Sequence, residues 1–276
     1  MYKEIYEKWL SSDALTETEK KELSEIESDE KEIEYRFGKD LEFGTAGMRG
    51  IIGLGTNMMN VHTVRRATQG LADYIKSLGK HAVARGVVIS YDTRRFSYEF
   101  AYNAAVVLVS NGIKTYLFRD VHPVPMLSFA VREKKTVAGI MITASHNPKE
   151  YNGYKVYGAD GAQMSVDDTR KLVGFINAVG DPISEKIIYD EEKNKRIIFT
   201  PGSVDKKYYR TIKKLCLSKK EIKSVGKTIK LVYTPVHGSG YVPVTTILKK
   251  LGINAHYYDS CGVADNQITP VSMADL

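Results

Sequence analysis

Residues 136–155 read Thr-Val-Ala-Gly-Ile-Met-Ile-Thr-Ala-Ser-His-Asn-Pro-Lys-Glu-Tyr-Asn-Gly-Tyr-Lys. The run from Thr136 to Thr143 is short, apolar and partly β-branched, which reads as a buried strand. Polar residues follow, with two turn pairs, Asn147-Pro148 and Asn152-Gly153. Ser145 is thereby placed on a loop at the C-terminal end of a strand, where open parallel sheets bind ligands. The turn pairs would hold that loop in one shape and expose the Ser145 hydroxyl. His146 and Lys155 are positioned to serve as acid, base or charge partner. A polar turn without chemistry is the competing reading of these residue types alone.

On the N-terminal side, short apolar runs alternate with helical patterns. Val87 to Tyr91 reads as a strand, Ser97 to Ser110 as a helix closed by Asn111-Gly112, and Lys114 to Phe118 as the next strand. A helix follows Pro123 and leads into the 136–143 strand. Strand, helix, strand, helix, strand at this spacing predicts βαβ units around a parallel core, an α/β fold. On the C-terminal side, Ser165 and Asp168 resemble a capping box that opens a helix to Val179. The polar stretch Asp190 to Arg196 separates this unit from a second one. That second unit reads as helix Ser203 to Leu217, strand Ile229 to Tyr233, helix Tyr241 to Leu251 and strand Ala255 to Tyr258. Two strands and one crossover cannot bury both faces of a sheet, so the second unit is expected to be incomplete. The first 42 residues read as helices with polar breaks, an exposed pair laid over the body. The expected division is residues 1–42, 43–200 and 201–276.

The chain has 276 residues, 43% hydrophobic and 26% charged, a globular balance that argues against disorder. Its apolar runs are too short to span a bilayer and its start lacks a signal-peptide core, so a cytoplasmic protein without a membrane partner is expected. Cys216 and Cys261 form neither a disulfide framework nor zinc-ligand spacing. Residues 1–42 hold 7 Lys/Arg against 14 Asp/Glu, a net of −7, which leaves +14 on the rest of a chain whose total is +7. A basic body suits an anionic ligand. Gly53-Leu54-Gly55 lacks the third glycine of a dinucleotide fingerprint, and no basic-aromatic module points to a nucleic-acid partner.

Thr143 to Pro148 resembles the phosphoserine loop of the alpha-D-phosphohexomutases, the phosphoglucomutase and phosphomannomutase family. The resemblance continues through Tyr151-Asn152-Gly153-Tyr154-Lys155. It also takes in Phe43-Gly44-Thr45-Ala46-Gly47-Met48-Arg49-Gly50, Tyr91-Asp92-Thr93-Arg94 and Thr234-Pro235-Val236-His237-Gly238. These strings keep the family's order over roughly residues 35 to 260, and they look closest to the branch of phosphoglucomutases and phosphopentomutases. The resemblance implies a mixed, largely parallel sheet with helices on both faces, followed by a partial second α/β domain. It implies an intramolecular phosphotransferase that interconverts hexose 1- and 6-phosphates through a phosphoserine and a bisphosphate, with a sugar phosphate as its small-molecule partner. Carried over by motif, Ser145 is the phosphate carrier, Lys155 the general acid/base and His146 a proton-transfer or positioning residue. Thr45, Arg49 and Arg94 would bind and neutralise phosphate. Arginine's planar fork of donors and the dianionic charge of phosphoserine fit such roles.

The resemblance further implies magnesium (Mg2+), held partly by a Ser145 phosphate oxygen, and glucose 1,6-bisphosphate as activator. The family's Asp-x-Asp-x-Asp loop does not occur in the chain, and Asp120, Asp160, Asp167 and Asp168 lack its spacing. The stretch Cys261 to Leu276 does not resemble the family. A truncated protein with little or no mutase activity of its own is therefore expected. A non-catalytic sugar-phosphate-binding remnant, or a parent with phosphomannomutase or phosphopentomutase activity, are the alternatives.

Overall fold

A computed structural model describes residues 2–45, 47–253 and 255–257. The chain opens with three short helices, α1 (Tyr2–Leu10), α2 (Glu17–Ser24) and α3 (Glu30–Phe37). Thr16 caps α2 reciprocally: its hydroxyl oxygen accepts from Glu19 N–H, and the Glu19 carboxylate accepts from Thr16 N–H. The outer faces are exposed, as the charge pattern predicts, but the segment also has a core of its own. Tyr6, Trp9, Leu15, Leu23, Ile33 and Phe37 are buried together with Leu54.

The body follows as β1 (Phe43–Gly44), β2 (Gly47–Ile51), α4 (Val61–Ser77), α5 (Lys80–Arg85), β3 (Val87–Tyr91), α6 (Ser97–Ser110) and β4 (Thr115–Leu117). Next come α7 (Val124–Lys134), β5 (Ala138–Ile142), β6 (Tyr151–Gly158), α8 (Val166–Val179), a 3₁₀ turn at Glu191–Arg196 and β7 (Ile198–Phe199). The seven strands form one mixed sheet in the order β1-β2-β6-β5-β3-β4-β7. Strands β5, β3, β4 and β7 run parallel, while β6, β2 and β1 pair antiparallel beside them. Alternating side chains of the central strands enter two cores. Val87, Ile89 and Tyr91 join the cluster under α4, α6 and α8. Val88 and Met141 join the cluster under α7. Helices thus cover both faces, and β3 and β5 are buried throughout, which is why they read as unbroken apolar runs.

Two expectations shift. Asn152-Gly153, read as a turn pair, lies inside β6, whose hairpin with β5 reverses the chain direction. The polar stretch at 190–196 is not the end of the first unit. It packs as a 3₁₀ turn beside α6 and delivers β7 to the sheet edge.

The remaining elements are α9 (Ser203–Lys214), α10 (Lys219–Val225), β8 (Leu231–Tyr233), α11 (Tyr241–Leu251) and β9 (Ala255–Tyr257). Val204 of α9 is buried in the α7 core, so this helix also covers the outer face of the first sheet. Strands β8 and β9 form a separate parallel pair. The expectations for Cys261 and the 261–276 tail lie outside the described residues.

Candidate active site

β3 and β5 are parallel neighbours whose last residues, Tyr91 and Ile142, stand side by side. Their outgoing loops must therefore meet, and Asp92 N–H donates to Ile142 O at 3.1 Å. Thr143 and Ala144 remain buried; Ser145 and His146 emerge exposed. Ser145 has φ +60°, a left-handed conformation that costs a non-glycine residue about 1–2 kcal/mol. Local hydrogen bonds hold it there. Ser145 N–H donates to Thr143 Oγ1 at 3.0 Å, and Asn147 N–H donates to Ala144 O at 3.2 Å. The Ser145 Oγ lies 3.3 Å from His146 Nδ1.

Beneath this loop sits the buried guanidinium of Arg94. Its Nη1 donates to Pro148 O and Tyr151 O, both at 2.8 Å, and its Nη2 donates to Ser145 O at 3.1 Å and Asn147 O at 2.6 Å. The terminal donors of Arg94, a residue expected to neutralise phosphoryl charge, are directed at these loop carbonyls. Asp92 is buried beside it, its Oδ1 accepting from Arg94 N–H at 3.0 Å and from the Ser97 hydroxyl at 2.8 Å. Burial pushes the Asp92 carboxyl upward, against hydrogen bonds from Thr143, Arg94 N–H and Ser97 and the charge of Arg94.

Arg49 and Lys155 arrive on the antiparallel side. Arg49 on β2 pairs with Gly153 on β6, and Lys155 on β6 pairs with Met141 on β5. Gly153 permits the close approach: a Cβ there would stand 2.7 Å from Thr143 O and 2.9 Å from Met48 O. The exposed Arg49 donates through Nη1 to Asn147 Oδ1 at 2.5 Å. Lys155 is half-buried, and its ammonium is lowered from the usual lysine value by burial first and then by Arg49, with Asp92 opposing. Thr45 is exposed on the β1–β2 turn, bridged to Gly47.

An open groove of about 370 Å³ lies at Ser145. It is bounded by Asp92, Thr93, Thr143, Ser145 and His146 from the first unit, with Met141, Pro123 and Val124, and by Gly238 and Ser239 from the second. A larger hollow of about 500 Å³, lined by His81, Arg85, Arg132, Lys135 and Ala159, lies at the entry ends of β3 and β5, away from Ser145. The two units are tied at the groove by the Thr93 hydroxyl, which donates to His237 O at 2.5 Å.

The loop carrying His237 repeats the build of the Ser145 loop. It follows a parallel strand, Val236 has φ +53°, Val236 N–H donates to Thr234 Oγ1 at 3.1 Å, and Gly238 N–H donates to Pro235 O at 2.9 Å. The shared pattern Thr-x-x-His, in Thr143 to His146 and Thr234 to His237, is the sequence signal that was available for this likeness. Asp92 and Thr143 were quoted within motifs, but their part in shaping the loop emerges only from the geometry.

Residues 40–181 match the family described as phosphoglucomutase/phosphomannomutase, alpha/beta/alpha domain I. A phosphoglucomutase of Staphylococcus haemolyticus is 41% identical over 220 residues, which cover 79% of this chain and 38% of that protein. A phosphoglucomutase of Staphylococcus aureus is 41% identical over 226 residues, 81% of this chain and 39% of that protein. The chain thus spans about two fifths of the length of these relatives. Among solved structures, a Thermus thermophilus protein described as a phosphomannomutase superposes with a TM-score of 0.66 at 22% identity, over 84% of this chain and 47% of that one. A phosphoglucomutase/phosphomannomutase family protein from Burkholderia thailandensis gives 0.60 at 19% identity, over 83% and 46%. With the sheet order, the Ser145 loop and these likenesses in agreement, the chain belongs to the phosphoglucomutase/phosphomannomutase family.

Proposed function

We propose that Ser145 is the phosphoryl carrier of a sugar-phosphate mutase of the phosphoglucomutase type, which interconverts hexose 1- and 6-phosphates through a bisphosphate. The observation that carries this reading is the exposed Ser145 hydroxyl at a groove, on a loop whose Asn147 side chain accepts from Arg49. Phosphoryl transfer is mostly positioning and charge stabilisation, and this arrangement supplies part of what the step needs. The free sugar hydroxyl gives its proton to Lys155 and its oxygen bonds phosphorus. The Oγ–P bond of the phosphorylated serine breaks, and Oγ recovers a proton from His146, 3.3 Å away. Reversal with the other phosphate of the bisphosphate regenerates the carrier. Arg49 faces the phosphoryl oxygens with a planar fork of donors.

The family suggests a metal ion, which would neutralise charge on the transferring group. The described residues do not fit one. Asp92 is the carboxylate at the groove, its Oδ1 is taken by two donors, and no three His, Cys, Asp or Glu side chains among the described residues are grouped to hold an ion.

The test uses Mg2+, glucose 1-phosphate and glucose 1,6-bisphosphate. The 276-residue chain is expected to form no glucose 6-phosphate above a Ser145→Ala control. A protein extended to the full length of the relatives should turn over, and Ser145→Ala should abolish that. An extended protein that keeps its rate after Ser145→Ala would remove Ser145 as carrier.

A further inference from the structure

We propose that Arg94 is a positioning residue for Ser145 and not a ligand of the phosphate, and that Asp92 completes the hold from the other side through Thr143. This rests on the reading of Ser145 as the carrier. The two terminal nitrogens of an arginine carry four N–H donors. In Arg94 all four are committed, to the carbonyls of Ser145, Asn147, Pro148 and Tyr151. The remaining Nε lies 3.6 Å from Asp92 Oδ2, and the side chain is 1% exposed. That Nε–H has no hydrogen-bond partner, but it is buried against the Asp92 carboxylate, so no exposed donor of Arg94 is offered to a phosphoryl oxygen.

The carbonyl of Ser145 is therefore fixed by Arg94. Its N–H is fixed by Thr143 Oγ1, whose hydroxyl is itself bonded to Asp92. Both peptide groups that set the left-handed φ of Ser145 trace back to the single loop Asp92-Thr93-Arg94. The same clamp fixes Asn147, whose side chain meets Arg49, so the position of the carrier relative to Arg49 depends on a residue that touches neither the phosphate nor Arg49. A lysine would keep the charge, but with three donors on one nitrogen it cannot span four carbonyls.

The test needs no turnover. In the full chain, Arg94→Lys should speed amide exchange of Ser145, Asn147 and Tyr151 by at least tenfold and leave β3 and β5 protected. With phosphoserine installed at 145, phosphorus NMR should show its second ionisation moving up toward the free value of about 6 as the loop leaves Arg49. Destabilisation alone would not move that titration in the folded population. Unchanged loop exchange, an unchanged titration, or a uniform loss of protection across the sheet would each overturn the proposal. If Arg94→Lys does not fold, Thr143→Val removes only the hydroxyl that holds the Ser145 N–H, and a Ser145 amide still protected in that variant overturns it too. Failure of the carrier reading would appear in turnover of the extended protein and would leave these measurements unchanged.

Discussion

Lys155 stands between opposing influences. Burial and the Arg49 guanidinium disfavour its ammonium, while Asp92 favours it. A lysine that exchanges protons near neutral pH needs such a downward push, because its ordinary value of about 10.4 leaves almost none of it neutral. Arg49→Gln is expected to act twice. It removes donors from the phosphoryl group, a loss of about 10²–10³ in kcat by analogy with other charge-stabilising donors. It also lets the Lys155 ammonium rise back toward the ordinary value, so the limb of the rate profile that needs neutral lysine moves to higher pH. The pH–rate profile of an extended, active protein checks both, and a limb that stays in place would detach Lys155 from that limb. Much of this site was legible because each residue sits in a contiguous string: Ser145 after a strand, Arg49 among glycines, Lys155 after Asn152-Gly153. The task of Arg94 was not. A sequence shows an arginine beside an aspartate but cannot show whether its fork meets a ligand or the backbone of a loop 51 residues away.

Elements were readable where an apolar run is continuous. β3 and α6, which are largely buried, have the bounds their runs predict, and so does α11, although only Pro243 and Thr245 of it are buried. β1, β2 and β6 were not read as strands, because Gly44, Gly47, Gly50 and Gly153 look like loop residues until the close packing that requires them is seen. The N-terminal helices were read as helical but not as anchored. Each contributes only one or two buried apolar residues, and the tie to the body joins the apolar contact with Leu54 to a polar one at His62. Glu19 Oε1 lies 3.0 Å from Nε2 of the buried His62 on α4, and Trp9 meets the His62 ring edge-on at 5.4 Å. Burial pushes the Glu19 carboxyl up, but His62 and the Thr16 backbone and hydroxyl outweigh it and hold it down at about 2. A carboxylate lowered on folding contributes stability above its unfolded value, and that contribution is lost as pH falls from about 4.5 to about 2. Glu19→Gln is therefore expected to cost about 1 kcal/mol at pH 7, discounted for the water that reaches Glu19, and to flatten the stability profile across that window. Urea denaturation at pH 7 and pH 3 checks it. An equal loss at both pH values would mean the cost comes from packing.

At the scale of the whole molecule, apolar surface is unevenly shared. The first sheet is closed on both faces, and its central strands are fully buried. Beyond α9 the balance changes: Leu215 is 67% exposed, Leu217 97%, Val232 63% and Val242 59%. Among the described residues, β8 and β9 pair only with each other, while α11 packs against α9 and α10. A two-stranded sheet is marginal alone, and exposed apolar groups of this size favour association. In this unit Val232 is exposed, while Leu231 and Ile247 are partly sheltered. The chain is expected to self-associate at micromolar concentrations, and light scattering should show a mass above that of one chain. Replacing Leu217 and Val232 by glutamine should bring the mass down while leaving the melting temperature of the first unit unchanged, because neither side chain enters its cores. A chain that scatters as a stable monomer, with those exposed residues intact, would show that this surface is not sticky enough to drive association.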